Sequence, residues 1–384
     1  MRSQAAPEGI AGGAPPLQPG PLLIALAAVV LLGLGAVPLG ARLPALAAIG
    51  MALGFVLAFF SFGFAGALRQ LIVRRDDSGA QAILAMVGFA TLLFALLLAR
   101  ESVAGRPLGG AVAPAGVQVA AGAFLFAIGM QIAGGCASGS LHAAGLGAGR
   151  ALLAIAAFCV GGFWASLHLE AWTRLPALRP HALGESLGWP AAVAVQLAFI
   201  AALALVLRRG IARGPLLAST LRPLLVAGLL LAALNAATLA VAGHPWSITW
   251  AFTPWAAKAA LALGWDPASS AFWAGGATRE ALEAPLLADV TTVMNLAIVA
   301  GAMAATASRG RHRWTRPGSW RLVVAAVAGG LAMGYGARIA FGCNVGAFFS
   351  GAASTSAHGW LWLAAALPGS WVGVRLRPLL GLRV

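Results

Sequence analysis

Ten apolar stretches, each close to the length of a bilayer and separated by short polar breaks, constrain this chain more than any other feature. They fall near 22–40, 45–66, 80–99, 113–133, 150–169, 190–207, 221–242, 286–307, 321–341 and 358–375. Roughly 20 apolar residues in a helix cover a hydrocarbon core. Backbone exposed to lipid has no water to pair with, so spans of this kind must be helical. The expected fold class is therefore all-α, a polytopic membrane protein with nine or ten transmembrane helices. A soluble fold would have to bury all ten stretches at once, and a chain that is 60% hydrophobic and only 9% charged has too little polar surface for that.

A formal charge of +15 would suit nucleic acid, yet the arginines form no patch interleaved with stacking aromatics. Instead they punctuate the spans. Arg69, Arg74 and Arg75 follow the second, Arg208, Arg209, Arg213 and Arg222 surround the break before the seventh, and Arg309, Arg311, Arg313, Arg316 and Arg321 precede the ninth. With Arg2, Arg150, Arg375, Arg377 and Arg383 they share one side if ten spans alternate, which puts both termini in the cytoplasm by the positive-inside rule. Residues 1–20, rich in Ala, Pro and Gly, read as a disordered lead-in. The first apolar stretch outruns a signal-peptide core and lacks a small-x-small exit, so it reads as a retained span.

The chain also repeats itself. Gly129-Met-Gln-Ile-Ala-Gly-Gly-Cys136-Ala-Ser-Gly139 and Gly336-Ala-Arg-Ile-Ala-Phe-Gly-Cys343-Asn-Val-Gly346 share Gly, Ile, Ala, Gly, Cys and Gly at an offset of 207 residues. The first copy closes the fourth span and the second closes the ninth. Five crossings separate them, so the copies enter from opposite faces, as in an inverted repeat with its binding region at the interface of the halves. The expected organisation is a first half at 21–210 and a second at 211–384, forming one transport domain.

Gly135 with Gly139, and Gly342 with Gly346, have small-xxx-small spacing, which at its blandest packs helices together with a small buried cysteine between. Two of only three cysteines at equivalent repeat positions argue for more. Clustered glycines interrupt a spanning helix, and a half-helix N-terminus at the break presents unpaired N–H groups and a positive dipole end to an anion. A protonated thiol donates a weak S–H hydrogen bond, and a thiolate held at a helix N-terminus attacks sulfane sulfur. Both chemistries point to a ligand containing sulfur.

Other polar residues stand in apolar surroundings. Arg338, five positions before Cys343, would neutralise a dianion, pair structurally or snorkel to the surface. Lys258 is the only lysine and follows a Pro-Trp segment that reads as re-entrant, where it would line a vestibule or snorkel. Asp289 and Asn295 fit structural hydrogen bonds, a pairing with Arg338 or a coupling proton. His142 and His358 have no Cys or carboxylate at ligand spacing, so no metal site is expected, and nothing calls for a cofactor.

The chain resembles the YeeE/YedE family of bacterial membrane proteins at Phe62-Gly-Phe-Ala-Gly-Ala-Leu-Arg69, Gly134-Gly-Cys136-Ala-Ser-Gly139, Pro245-Trp246-Ser-Ile-Thr249 with Trp255 and Lys258, and Leu287-Ala-Asp289-Val-Thr-Thr-Val-Met-Asn295. The likeness continues in Gly334-Tyr-Gly-Ala-Arg338-Ile-Ala-Phe-Gly-Cys343-Asn344-Val-Gly346, His358-Gly-Trp-Leu-Trp362 and Gly373-Val-Arg375-Leu-Arg377-Pro378. The resemblance implies a bacterial inner-membrane protein with pseudo-twofold symmetry and short re-entrant helices. It implies import of thiosulfate, passed between cysteines near a narrow centre. Cys136 and Cys343 match the two repeat-borne cysteines, and Gly135, Gly139, Gly342, Asn344 and Gly346 match their surroundings. A third relay cysteine would be Cys159, which lies outside any motif. A small sulfur-carrier protein of the sulfurtransferase kind is the implied cytoplasmic partner. Some relatives handle other sulfur or selenium species.

The leading expectation is thus a transporter and no enzyme. No Gly-x-x-x-x-Gly-Lys-Ser/Thr loop is present for nucleotide hydrolysis, and no Cys-x-x-Cys for disulfide exchange. A membrane sulfurtransferase holding a cysteine persulfide stays open, as does carriage of a selenium compound.

Overall fold

The structure is a computed structural model that describes residues 16–211 and 218–382. Most of the lead-in, as well as Arg2, Arg213 and Arg383, lies outside the described residues. The described residues are mostly helical, with two short strand pairs. Its principal helices are α1 (Pro19–Ala36), α2 (Leu43–Phe59), α3 (Phe64–Arg74), α4 (Ser78–Leu98), α5 (Val117–Ala133), α6 (Ala137–Gly145), α7 (Gly149–Leu167) and α8 (Trp189–Val206). They continue with α9 (Ala218–Ala242), α10 (Thr249–Ala262), α11 (Gly276–Glu283), α12 (Val290–Ala307) and α13 (Trp320–Ile339). Next comes α14, a π-helical segment Asn344–Phe349 running into Ser350–Ala353, and then α15 (Ala357–Leu376).

Among the described residues, nine segments are long and apolar enough to cross a membrane. The tenth expected span is α15, a 20-residue helix that carries His358, Ser370 and Arg375 and packs against α5. Two boundaries depart from the apolar pattern. The stretch at 113–116 is extended, because Ala115 and Gly116 pair with Ala177 and Leu178 in a two-residue ladder. Leu286–Ala288 is a 3₁₀ turn, and α12 starts only after Asp289, which caps it by accepting from the Thr292 N–H at 2.7 Å.

The long helices exchange partners across the chain. α2 packs on α12 while α4 packs on α9, α7 packs on α13 while α5 packs on α15, and α1 lies against α12 as α8 lies against α4. α5 and α13 cross each other at the centre, and glycines set how closely. A Cβ on Gly122 would lie 2.5 Å from the Gly336 carbonyl oxygen, and one on Gly336 would lie 2.4 Å from that of Gly122. Gly129 and Gly329 meet in the same reciprocal way, at 2.6 and 2.7 Å. In lipid, where apolar burial gives helices no reason to associate, such backbone contact supplies the van der Waals attraction. An added Cβ on Gly161 would run into the Leu331 carbonyl and one on Gly369 into that of Phe124, which repeats the device on either flank.

Candidate functional site

Both cysteine motifs fold the same way. α5 ends at Ala133, Gly134 adopts the left-handed φ of +89°, and Cys136 becomes the N-cap of the nine-residue helix α6 with φ −78° and ψ −171°. α13 ends at Ile339, Gly342 adopts φ +147°, and Cys343 caps α14 with φ −90° and ψ −170°. A side chain would be strained at either glycine, and in the second turn Phe341, at the position equivalent to Gly134, holds the left-handed φ of +60° that Gly134 holds in the first. The Cys343 sulfur accepts from the Val345 N–H at 3.4 Å, and the Cys136 thiol sits 3.3 Å from the Ser138 hydroxyl. Each sulfur is therefore held at the N-terminal end of a short helix, where backbone N–H groups have no intrahelical partner.

Cys136 and Cys343 are 1% and 0% exposed and belong to one apolar cluster. Buried rings surround them. Phe126 meets Trp362 at 5.5 Å, Phe64 meets Phe348 at 5.5 Å, and the Trp362 indole donates to the Gly342 carbonyl at 3.2 Å. The motif glycines mostly face inward on their own turns. A Cβ added to Gly135 would meet atoms of Gly139, one on Gly139 would lie 3.6 Å from the Cys136 sulfur, and one on Gly346 would lie 3.5 Å from the Ser247 hydroxyl. Helix packing is carried by Gly122, Gly129, Gly329 and Gly336 instead.

Several buried polar atoms beside these turns have no hydrogen-bond partner. They include the amide oxygen of Asn344, next to Cys343, and the indole N–H of Trp246, next to Ser247. Both residues are under 5% exposed. Trp246 is otherwise pinned: its N–H donates to Asn235 Oδ1 at 2.8 Å, and its carbonyl accepts from the Ser350 hydroxyl at 3.0 Å. The sequence offered Trp246 and Ser247 only as members of a motif.

Arg338 opens onto a cavity of about 220 Å³ lined also by Ser247, Thr249, Thr253, Phe341 and Gly342. Its guanidinium lies 4.5 Å from the ring centre of Phe272 and 5.4 Å from that of Trp250, and its Nε has no hydrogen-bond partner. The N-terminus of α10 borders the same cavity through Thr249 and Trp250. Phe341, at φ +60°, holds a backbone conformation uncommon outside glycine. Among the described residues Arg338 forms no ion pair, and Asp289 spends its carboxylate on Thr292, through both the N–H and the hydroxyl.

Lys258 lies elsewhere, on a separate cavity of about 250 Å³ that it shares with Asp289. Its ammonium donates to the carbonyls of Leu282 and Ala284 at 2.5 and 2.6 Å, closing the C-terminus of α11. Asn295 donates to the Ile248 carbonyl at 2.8 Å, which ties α12 to the start of α10. Cys159 stands partly buried in α7, one residue after Phe158, whose ring packs on Phe252 at 5.0 Å. Among the described residues no group of three or more His, Cys, Asp or Glu side chains gathers as metal ligands would.

Comparison with known proteins agrees with this architecture. Two curated proteins, each called a probable transporter YedE, are similar to the chain over 135 residues: one from Salmonella typhimurium at 33% identity and one from Escherichia coli K12 at 32%. Each alignment covers 35% of this chain and 33% of the relative, so the match spans about a third of the curated proteins. A family model described as sulphur transport matches residues 61–372, a range that takes in both cysteine turns, the Arg338 cavity and every helix from α3 to α14. A match of that extent makes the chain a member of the sulphur transport family.

Proposed function

We propose that the protein carries thiosulfate, or a small sulfur anion like it, across the bacterial inner membrane along a path that passes Cys136 and Cys343. The observation that carries this reading is the shared geometry of the two turns: a buried thiol at the N-cap of a short helix, at the break in a longer one, once in each half. A small dianion at the membrane centre needs donors and positive potential to replace water. The N-termini of α6 and α14 each offer the equivalent of about half a positive charge, and the thiols supply S–H donors soft enough to match sulfur. Asn344 adds an amide whose oxygen and nitrogen can exchange places, so that it presents N–H to an anion.

In this reading the two halves form an inverted repeat about the α5–α13 crossing. The reciprocal exchange of helix partners and of glycine contacts supports it. The Arg338 cavity then serves as the vestibule on one side, where a guanidinium, three hydroxyl side chains and the N-terminus of α10 strip and orient the anion. The ligand passes without forming a covalent bond, and a small sulfur-carrier protein receives it at the cytoplasmic face. Lys258 acts on this path through the shape of the α11 segment, since its own donors are engaged with carbonyls.

Uptake of radiolabelled thiosulfate into vesicles tests the reading. Cys136→Ala and Cys343→Ala each abolish uptake while the protein still inserts; normal uptake by both variants removes the proposal. Mass spectrometry of the thiols after thiosulfate exposure separates passage from chemistry, because a stable persulfide would assign the protein to the sulfurtransferases.

A further inference from the structure

A cavity of about 530 Å³ among the described residues is separate from the Arg338 vestibule and is open to the surroundings of the helices. Leu141, Ala144 and Gly145 in the C-terminal half of α6 form its floor, and its walls come from α1, α7, α12 and Trp255 of α10. Ile24, Leu152 and Leu296, 61%, 44% and 42% exposed, turn their apolar side chains to the opening. From Leu296 to Met303 the groove follows α12 for about 10 Å, most of the roughly 15 Å depth of one leaflet.

One end of the groove is basic. His312 and Trp314 close it, and the exposed Arg311 and Arg313 alternate with them. Gln18 fixes this loop against the start of α1: its side chain donates to the His312 carbonyl at 3.2 Å and accepts from the His312 N–H at 2.9 Å. No Asp or Glu occurs anywhere after Asp289, and among the described residues neither arginine forms an ion pair. An apolar slot of leaflet depth with two guanidiniums at its interfacial mouth has the chemistry of an anionic phospholipid, tail inward and phosphate outward.

We infer that this groove is a specific site for one anionic phospholipid, whose acyl chain packs on α6 and whose phosphate is held by Arg311 and Arg313. The occupant braces the far end of the helix that Cys136 caps, so the lipid sets the position of that turn. A loosely ordered annular lipid would not discriminate by headgroup and would not survive extraction.

Native mass spectrometry of the full chain, released from nanodiscs of mixed phosphatidylglycerol and phosphatidylcholine, tests the inference. The expected result is one retained phosphatidylglycerol per chain. Leu152→Trp, which fills the groove, removes it. Arg311→Gln with Arg313→Gln, a change confined to exposed side chains, weakens retention about 25-fold, or about fivefold per guanidinium. Retention without headgroup preference, or retention unaffected by the arginine pair, overturns the inference. A dimer that Leu152→Trp dissociates also overturns it, because a second copy of the chain would then fill the groove.

Discussion

Replacing Gly336 by alanine probes the centre of the fold most directly. The added methyl would lie 2.4 Å from the Gly122 carbonyl oxygen and 2.7 Å from the Phe126 nitrogen, where ordinary contact begins at 3.4 Å. Both neighbours are backbone and cannot rotate away, so α5 and α13 must part by about 1 Å. Overpacking of this kind costs about 1–3 kcal/mol. Gly122→Ala meets the same contact from the other helix and costs a similar amount. The double variant costs less than the sum by about 1 kcal/mol, since helices already parted for one methyl partly accommodate the other. Unfolding in mixed micelles with increasing dodecyl sulfate measures each value. Gly66→Ala is the control: it sits in α3 with nothing within 4 Å, and the change is neutral or stabilises by about 0.5–1 kcal/mol. If Gly336→Ala behaves like Gly66→Ala, or if the two crossing variants add fully, glycine contact does not hold these helices together.

Two further variants separate recognition from scaffolding. On the proposed transport of thiosulfate, Arg338→Gln removes the charge that lines the 220 Å³ cavity and raises the concentration of thiosulfate needed for half-maximal uptake by about 10- to 100-fold, the worth of a hydrogen bond to a charged group, while Arg338→Lys restores part of the loss; unchanged uptake kinetics would exclude Arg338 from the path. Lys258→Met strips two carbonyls of their donor and loosens α11, so limited proteolysis between Gly264 and Ala284 accelerates more than uptake falls. Lost uptake with unchanged proteolysis would instead give Lys258 a direct part in handling the anion.

The long helices were legible because lipid enforces length and composition together, and seven of the ten apolar stretches meet their helices within a few residues. The exceptions have local causes. Ladder pairing holds Ala115 and Gly116 extended, the Asp289 cap delays α12, and the break at Gly63 divides the second apolar stretch into α2 and the start of α3. The cysteine turns were legible because glycine and cysteine recur at one offset. Their backbone φ values, and the fact that each sulfur sits at an N-cap, were not. Arg338 stood out as a charge among apolar residues, but its aromatic neighbours Trp250 and Phe272 come from chain 66 to 88 residues earlier. Lys258 stood out for the same reason, and periodicity had no means of supplying the carbonyls 24 and 26 residues onward that engage it. Small-residue spacing identified glycines able to pack helices and could not say which ones do.

The crosswise exchange of partners also bears on how the chain is made. α2 needs α12, α5 needs α13 and α15, and α7 needs α13. At about 5–20 residues per second, roughly 10–40 s pass between synthesis of α7 and completion of α15. During that interval the early helices sit in the bilayer with glycine faces bare and the turn at Cys136 unsupported. Translation of the residues from α12 onward therefore supplies the partners of α2, α5 and α7, and a ribosome halted before α13 leaves an inserted bundle with no centre.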